Sequence, residues 1–357
     1  MKTQVAWWSK ARPWAIRIIL FVISISIFIL ALILVKEGAK PLAPIIRELF
    51  SVNSPASALG FGWLSASMVL SGSPIAATSL AFLDAGVLST TESFAMIAGS
   101  RLGASFIVLL VGVIYILKGQ QREVSLGAGL LSLLVTQTIY IPVLAIGFYL
   151  LSRGWLNAWQ INVGHSISSP INAIIDPLIV SLNSVMPTWV LFPIGFGLLF
   201  FSLWLFDHVI PDLHLEDSNL GLVHHLLYRP MVTFALGAGV TAITMSVSVS
   251  LGLLVPLSAR GYIRRENIIP YILGANITTF IDTLFAAALL ANPSAVTVVL
   301  VQMISVTTVS VIILFTCFTF YERSLNRLAY RISQRRINLT LYILLSLGIP
   351  VVLLLFG

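Results

Sequence analysis

A chain of 357 residues that is 58% hydrophobic and only 9% charged has too few polar side chains to cover a soluble globule of its size, so lipid must cover much of its surface. Its formal charge of +7 would suit a nucleic-acid ligand, but the basic residues stand at the ends of apolar segments, where cytoplasmic loops collect Lys and Arg. They report topology and argue against a nucleic-acid partner. The one cysteine, Cys317, lies inside an apolar run, can close no intrachain disulfide and reads as a small lipid-facing or core residue.

Lys2, Lys10 and Arg12 precede an apolar run at 14–35 that is too long for a signal-peptide core and lacks a small-residue cleavage site. It reads as a retained first span with the N-terminus in the cytoplasm. Six further runs are long enough to cross a bilayer, at 93–117, 124–150, 189–206, 267–291, 294–321 and 338–356. Two stretches, 58–84 and 231–258, break the pattern, because Ser71-Gly72-Ser73-Pro74 interrupts one at its middle and Ser246-Val247-Ser248-Val249-Ser250 the other. Non-helical backbone at membrane depth survives only where it is buried in protein or lines a polar cavity, so both read as re-entrant hairpins with their tips in a site. A single helix with its serines bonded to its own carbonyls is the plainer alternative. Segment 151–188 begins too polar to span, carries Pro170, Asp176, Pro177 and Pro187, and reads as an extracytoplasmic connector with a surface-lying helix.

One shift, of 175 residues, relates the two halves: it lays Gly62 on Gly237, Ser71 on Ser246, Ser73 on Ser248, Gly86 on Gly261, Gly99 on Gly274 and Leu109 on Leu284. It also lays the first span on the one beginning at Trp189, and 124–150 on the run ending at Tyr321. The link 84–92 carries two acids and no base, whereas its counterpart 259–266 carries Arg260, Arg264 and Arg265, which puts the two on opposite sides of the membrane. The expected fold is therefore an all-α integral membrane protein of two inverted-topology repeats, at 14–150 and 189–322. Each repeat is a span, a re-entrant helical hairpin, a broken span and a span, and a basic cytoplasmic segment with one C-terminal span follows at 323–357. Threaded from a cytoplasmic N-terminus, Lys118, Arg122, the three arginines after the second hairpin, and Arg323, Arg327, Arg331, Arg335 and Arg336 fall inside. Segment 36–47, with three bases and, counting Glu48 next to it, two acids, falls outside against the rule.

Each half contributes two clusters of small and polar residues. They are Ser71-Gly72-Ser73 with 99–105, and Ser246 to Ser250 with Gly274-Ala275-Asn276-Ile277-Thr278-Thr279. Such residues let helices approach closely and let backbone unwind, freeing N–H and C=O groups to bind ions. Close helix packing explains any one cluster equally well; four at matched positions point to a midplane site. Arg101 lies within a span, where an unpaired charge costs at least about 2.5 to 3.5 kcal/mol, so it needs a partner. Asp282, the one acid well inside a span, or a bound anion would serve, and a guanidinium fork suits phosphate or carboxylate. Snorkelling of Arg101 to the interface is the alternative. Asp282 in turn can coordinate sodium or take up a proton and so couple a gradient to transport, or it can be a purely structural partner of Arg101. The stretch 207–225 holds Asp207, His208, Asp212, His214, Glu216, Asp217, His224 and His225 without a tight ligand spacing or a cysteine, and reads as a solvated loop rather than a zinc site. No phosphate loop or Ser/His/Asp set stands out.

The motifs resemble those of the sodium/phosphate cotransporter family, whose halves each carry a Gln-Ser-Ser-Ser hairpin tip and a Gly-x-Asn-Ile-Gly-Thr-Thr break. Gly274-Ala275-Asn276-Ile277-Thr278-Thr279 resembles the break, and 99–105 is a degenerate form of it. Thr241-Ala242 followed by Met245-Ser246-Val247-Ser248 resembles the tip, as more weakly does Leu70-Ser71-Gly72-Ser73. The resemblance covers 59–112 and 235–287 together with the span order. It implies that Ser71, Ser73, Ser246, Ser248, Asn276, Thr278 and Thr279 line substrate and ion sites; taken with the intramembrane carboxylate, sodium is expected at Ser246, Ser248, Thr279 and Asp282. Leu70 and Met245 replace the family glutamines, Gly72 and Val247 the middle serines, and Arg101 an asparagine.

The expected function is cation-coupled symport of inorganic phosphate or a similar oxyanion across the cell membrane, with Arg101 and Asp282 joining that residue set. No cofactor is expected beyond Na+ or H+ as coupling ion. The expected partners are a small anionic substrate, the lipid bilayer and, in a homo-oligomer, further copies. The rival readings are a metal-dependent membrane enzyme, which only 207–225 could equip, and a channel or non-transporting scaffold.

Overall fold

The computed structural model describes residues 14–49, 52–117, 122–154, 164–209, 229–259, 265–290 and 292–357. Among them every regular element is helical, and seven helices are long and apolar enough to cross a membrane: Ile16–Leu42, Thr90–Ile114, Leu126–Arg153, Thr188–Phe206, Ile268–Leu289, Pro293–Gln334 and Arg336–Phe356. These are the seven runs expected from hydropathy, and large apolar side chains such as Ile18, Val22, Phe315, Leu344 and Leu355 stay exposed along them, as lipid contact requires. Lys2, Lys10, Arg12, Lys118, Arg260, Arg264 and the side chains of 207–225 lie outside the described residues, as do the side chains of Arg122, Ser248 and Arg265.

In chain order, α1 is Trp14–Ala39, α2 Pro55–Val69, α3 Ser73–Asp84, α4 Thr90–Ala104, α5 Phe106–Leu117 and α6 Arg122–Arg153. Then come α7 Gly164–Val185, α8 Leu191–Val209, α9 Pro230–Thr244, α10 Val247–Ala259, α11 Ile268–Thr278 and α12 Ile281–Leu289. Last are α13 Pro293–Ile312, α14 Phe318–Gln334 and α15 Arg336–Phe356.

The shift of 175 recurs in the backbone. Pro55 opens α2 and Pro230 opens α9, each supplying the fixed φ that suits a first helical turn. Among the described residues two non-glycine residues have positive φ, Leu70 (56°) and Met245 (48°); they end those helices and stand 175 apart. Crossing points match too. A methyl group on Gly62 would overlap the Met96 carbonyl, and one on Gly237 the Tyr271 carbonyl; Gly99 and Gly274 likewise press on the carbonyls of Leu59 and Phe234. All eight positions obey the shift, so α2 closes on α4 as α9 closes on α11. Contacts between the copies come in exchanged pairs: α3 packs on α12 and α10 on α5, α4 on α13 and α11 on α6, while α1 packs on α8 and α6 on α13. Each of the first four contacts thus has its counterpart 175 residues away in both partners.

Both hairpin stretches are broken as expected, but more tightly than the sequence suggests. The second interruption is Met245-Ser246 alone; Ser248 and Ser250 already belong to α10. The broken spans break later than their glycines. Gly99 and Gly274 are helical, and the hitches fall at Ser105 and at Thr279-Phe280. Glycine at 99 and 274 serves interhelical approach instead of unwinding. α14 runs on through the basic stretch after 322, with Leu325, Ala329 and Ile332 buried and Arg323, Arg327 and Arg331 exposed. Connector helix α7 buries Ile179 against Leu34 and Leu191 and leaves Leu178 and Val180 exposed.

The three bases of 36–47 are all ion-paired: Lys36 with Asp84 (2.7 Å), Lys40 with Glu37 (2.7 Å) and Arg47 with Glu92 (3.7 Å). Glu92 also closes the capping box that starts α4, accepting from Ser89 N at 2.7 Å. Asn292, which caps α13, donates to Asp84 and ties this end of the first copy to the second.

Candidate functional site

Breaking a span inside a protein creates helix ends where a continuous helix has none, and the two broken spans place opposite ends together. Arg101 lies in the last turn of α4, where a cation complements the partial negative charge of the helix C-terminus. Asp282 lies in the first turn of α12, where a carboxylate complements the N-terminus. Arg101 is 3% and Asp282 6% exposed, so neither snorkels to a headgroup. Arg101 Nη2 donates to Asp282 Oδ1 at 3.3 Å and to Thr283 Oγ1 at 2.5 Å. Asp282 Oδ1 also accepts from the Thr283 backbone N–H (2.5 Å) and hydroxyl (2.8 Å). The guanidinium lies 4.9 Å from the centroid of the Phe280 ring, an added cation–π contact.

The first hairpin completes this group. Arg101 Nη1 reaches Ser73 Oγ at 3.5 Å, at the start of α3. Gly72 brings the tip onto the end of α4: a Cβ there would lie 2.9 Å from the Ser100 carbonyl and 3.4 Å from Arg101 Nη1. Polar capacity is left over, since Arg101 Nε, Asp282 Oδ2 and the hydroxyls of Thr279 and Tyr140 are buried without a hydrogen-bond partner among the described residues. Asp282 also lines a cavity of about 30 Å³ between α1, α8 and α12, with Ser24, Ser202, Phe28, Phe285 and Met245 of the second tip around it. The space is large enough for a water molecule, with Asp282 its charged group among the described residues; the Ser24 and Ser202 hydroxyls donate to the carbonyls of Ser202 and Leu199.

The expected site residues divide accordingly. Ser73, Arg101 and Asp282 meet. Ser71 sits part-buried in the first turn, and Ser246 in the second, where its hydroxyl accepts from Val249 N (3.3 Å). Asn276 donates to Thr136 of α6 (3.4 Å), and Thr278 to the Ala238 carbonyl of α9 (2.8 Å), which is the place Gly103 takes against Trp63 in the first copy. No hydrogen bond among the described residues joins Ser246 or Thr279 to Asp282. Sequence reasoning misses Thr283, Phe280 and Tyr140; the first two flank Asp282 within two positions, and that proximity was the available signal. It also misses the chain Thr241–Ser250–Tyr271, with bonds of 2.7 and 3.0 Å, which ties the second hairpin to α11.

Compared with protein-family models, curated proteins and solved structures, the chain matches none. Helix count, apolarity and exposure define its class: it is an all-helical, multi-pass membrane protein.

Proposed function

We propose that this protein is a secondary transporter that carries an inorganic oxyanion, phosphate or a close analogue, together with a cation. The supporting observation is the buried Arg101, held at a hairpin tip of one copy and against Asp282 and Thr283 of the other. An intramembrane charge at a junction of broken helices is the usual form of a transported-ion site. The guanidinium supplies the oxyanion contact, Ser73 and Thr283 flank it, and Asp282 supplies the coupling charge. Three spans in the first copy turn the second upside down, provided that α7 lies along the membrane. This reading thus takes the copies as inverted repeats with re-entrant hairpins, the N-terminus inside and the plasma membrane as the location. Alternating access is then movement of one copy against the other around the Arg101 group. The protein acts without chemistry on its substrate.

Uptake of radiolabelled phosphate into proteoliposomes, under an inward sodium gradient, an inward proton gradient and neither, tests this. Accumulation under one gradient and not without it is expected; no uptake under any of the three overturns the reading.

A further inference from the structure

The pair Arg101–Asp282 is only half made. One guanidinium nitrogen reaches one carboxylate oxygen at 3.3 Å, while Arg101 Nε and Asp282 Oδ2 have no partner among the described residues. A pair selected for stability alone would gain from bidentate contact, because desolvating two charges repays itself only with good geometry and every lone pair satisfied. The carboxylate is moreover the same kind of group as the proposed substrate, an oxyanion on a guanidinium, and it comes from the opposite copy. Asp282 also lines the cavity of about 30 Å³ to which Ser24 and Ser202 belong.

We propose, resting on the transport reading above, that Asp282 is a tethered stand-in for the transported anion. Its carboxylate holds Arg101 while the site is free of substrate, and the oxyanion takes Arg101 only by displacing it. The charges then balance in one way. Before exchange Arg101 is neutralised by Asp282; afterwards the oxyanion neutralises Arg101, and Asp282 is a lone buried carboxylate that a single positive charge entering the cavity must neutralise. A buried charge stripped of its partner is strongly disfavoured, so anion without cation binds weakly. The same applies to cation without anion, because Arg101 then keeps the carboxylate. Coupling is thus a swap of partners between copies, and the positive charge is sodium or a proton. Among the described residues, Arg101 is the charged group bonded to Asp282, and Tyr140 is a titratable group buried within electrostatic reach of Arg101; Ser24, Ser202 and Met245 line the cavity with Asp282 from α1, α8 and the second tip, and Ser73 of α3 meets Arg101.

Equilibrium binding of radiolabelled inorganic phosphate to the purified full chain in detergent, in sodium or choline chloride at pH 6 and pH 8, tests the swap. Wild type is expected to bind better with sodium if sodium is the coupling charge, or at pH 6 if the proton is. Asp282→Asn, which keeps the shape and removes the competitor, is expected to bind at least tenfold tighter, with neither dependence. The ratio of the two affinities cancels phosphate's own titration. Wild-type binding with a variant that is no tighter, or equally cation-dependent, overturns the swap and leaves the transport reading standing. Absence of phosphate binding by both proteins overturns the two together. If Asp282→Asn does not fold, Asp282→Ser, which also removes the competing carboxylate, takes its place with the same expectation; binding no tighter than wild type, or equally cation-dependent, then overturns the proposal.

Discussion

The two hairpins follow one backbone plan and are held in two different ways. In the first, Ala66, Ile75 and Met96 bring α2, α3 and α4 together through apolar contact, next to an apolar cavity of about 430 Å³. At the positions 175 residues later, Thr241, Ser250 and Tyr271 do the same with hydrogen bonds. A duplicated scaffold keeps its crossing points because a carbonyl pressed against a glycine tolerates nothing larger. Side chains that merely fill the space between helices are free to diverge in chemistry. The charges diverge most: Arg101 stands opposite Asn276 in the repeat, and Asp282 opposite Ile107.

Breaking that asymmetry at its charged point gives the largest expected effect. Arg101→Ala leaves Asp282 buried and unpaired and should cost about 3–5 kcal/mol in stability, with loss of phosphate uptake, whereas Asn276→Ala at the equivalent place should cost about 1–2 kcal/mol. Thermal unfolding in detergent beside proteoliposome uptake reads both, and equal losses would deny the copies their division of roles. The scaffold should behave symmetrically: Gly99→Ala and Gly274→Ala each force a methyl group onto a backbone carbonyl and should each destabilise by about 1–3 kcal/mol. A silent substitution in one copy would mean that its helices close less tightly. Between the hairpins, Tyr271→Phe removes the two hydrogen bonds its hydroxyl makes with Ser250, at about 1–2 kcal/mol, while its counterpart Met96→Leu keeps volume and should cost less than about 1.5 kcal/mol. Double-mutant cycles with Ser250→Ala and Ile75→Ala separate polar from apolar coupling. Smallest, and of opposite sign, Leu70→Gly and Met245→Gly relieve a left-handed residue and should each stabilise by up to about 1 kcal/mol.

Spans and duplication are legible because both rest on long-range regularities: an apolar run needs only length, and a shift of 175 needs only matched glycines and serines. The partner of Arg101 is legible for a related reason, since Asp282 is the one acid deep in a span. Local breaks are another matter. Ser105 and Thr279 are no stronger helix breakers than their neighbours, and the hitch falls on them because surrounding helices dictate where α4 and α11 must stop. The glycines nearby attract the assignment, and their true use is visible only once Leu59 and Phe234 lie across them. The hairpin turns hide similarly, for Leu70 and Met245 are residues no turn rule selects. Thr278 carries a motif position yet spends its hydroxyl on the Ala238 carbonyl, a choice made by helix contact alone.

The end-to-end meeting of α4 and α12 has an electrical consequence. A guanidinium and a carboxylate that move as a pair transfer no net charge across the bilayer, so a membrane potential of 100 mV, worth about 2.3 kcal/mol on a single charge, does no work on them. In the transport cycle proposed above, voltage therefore bears only on the steps in which the pair is parted, and return of the empty form is expected at a rate that the potential does not set.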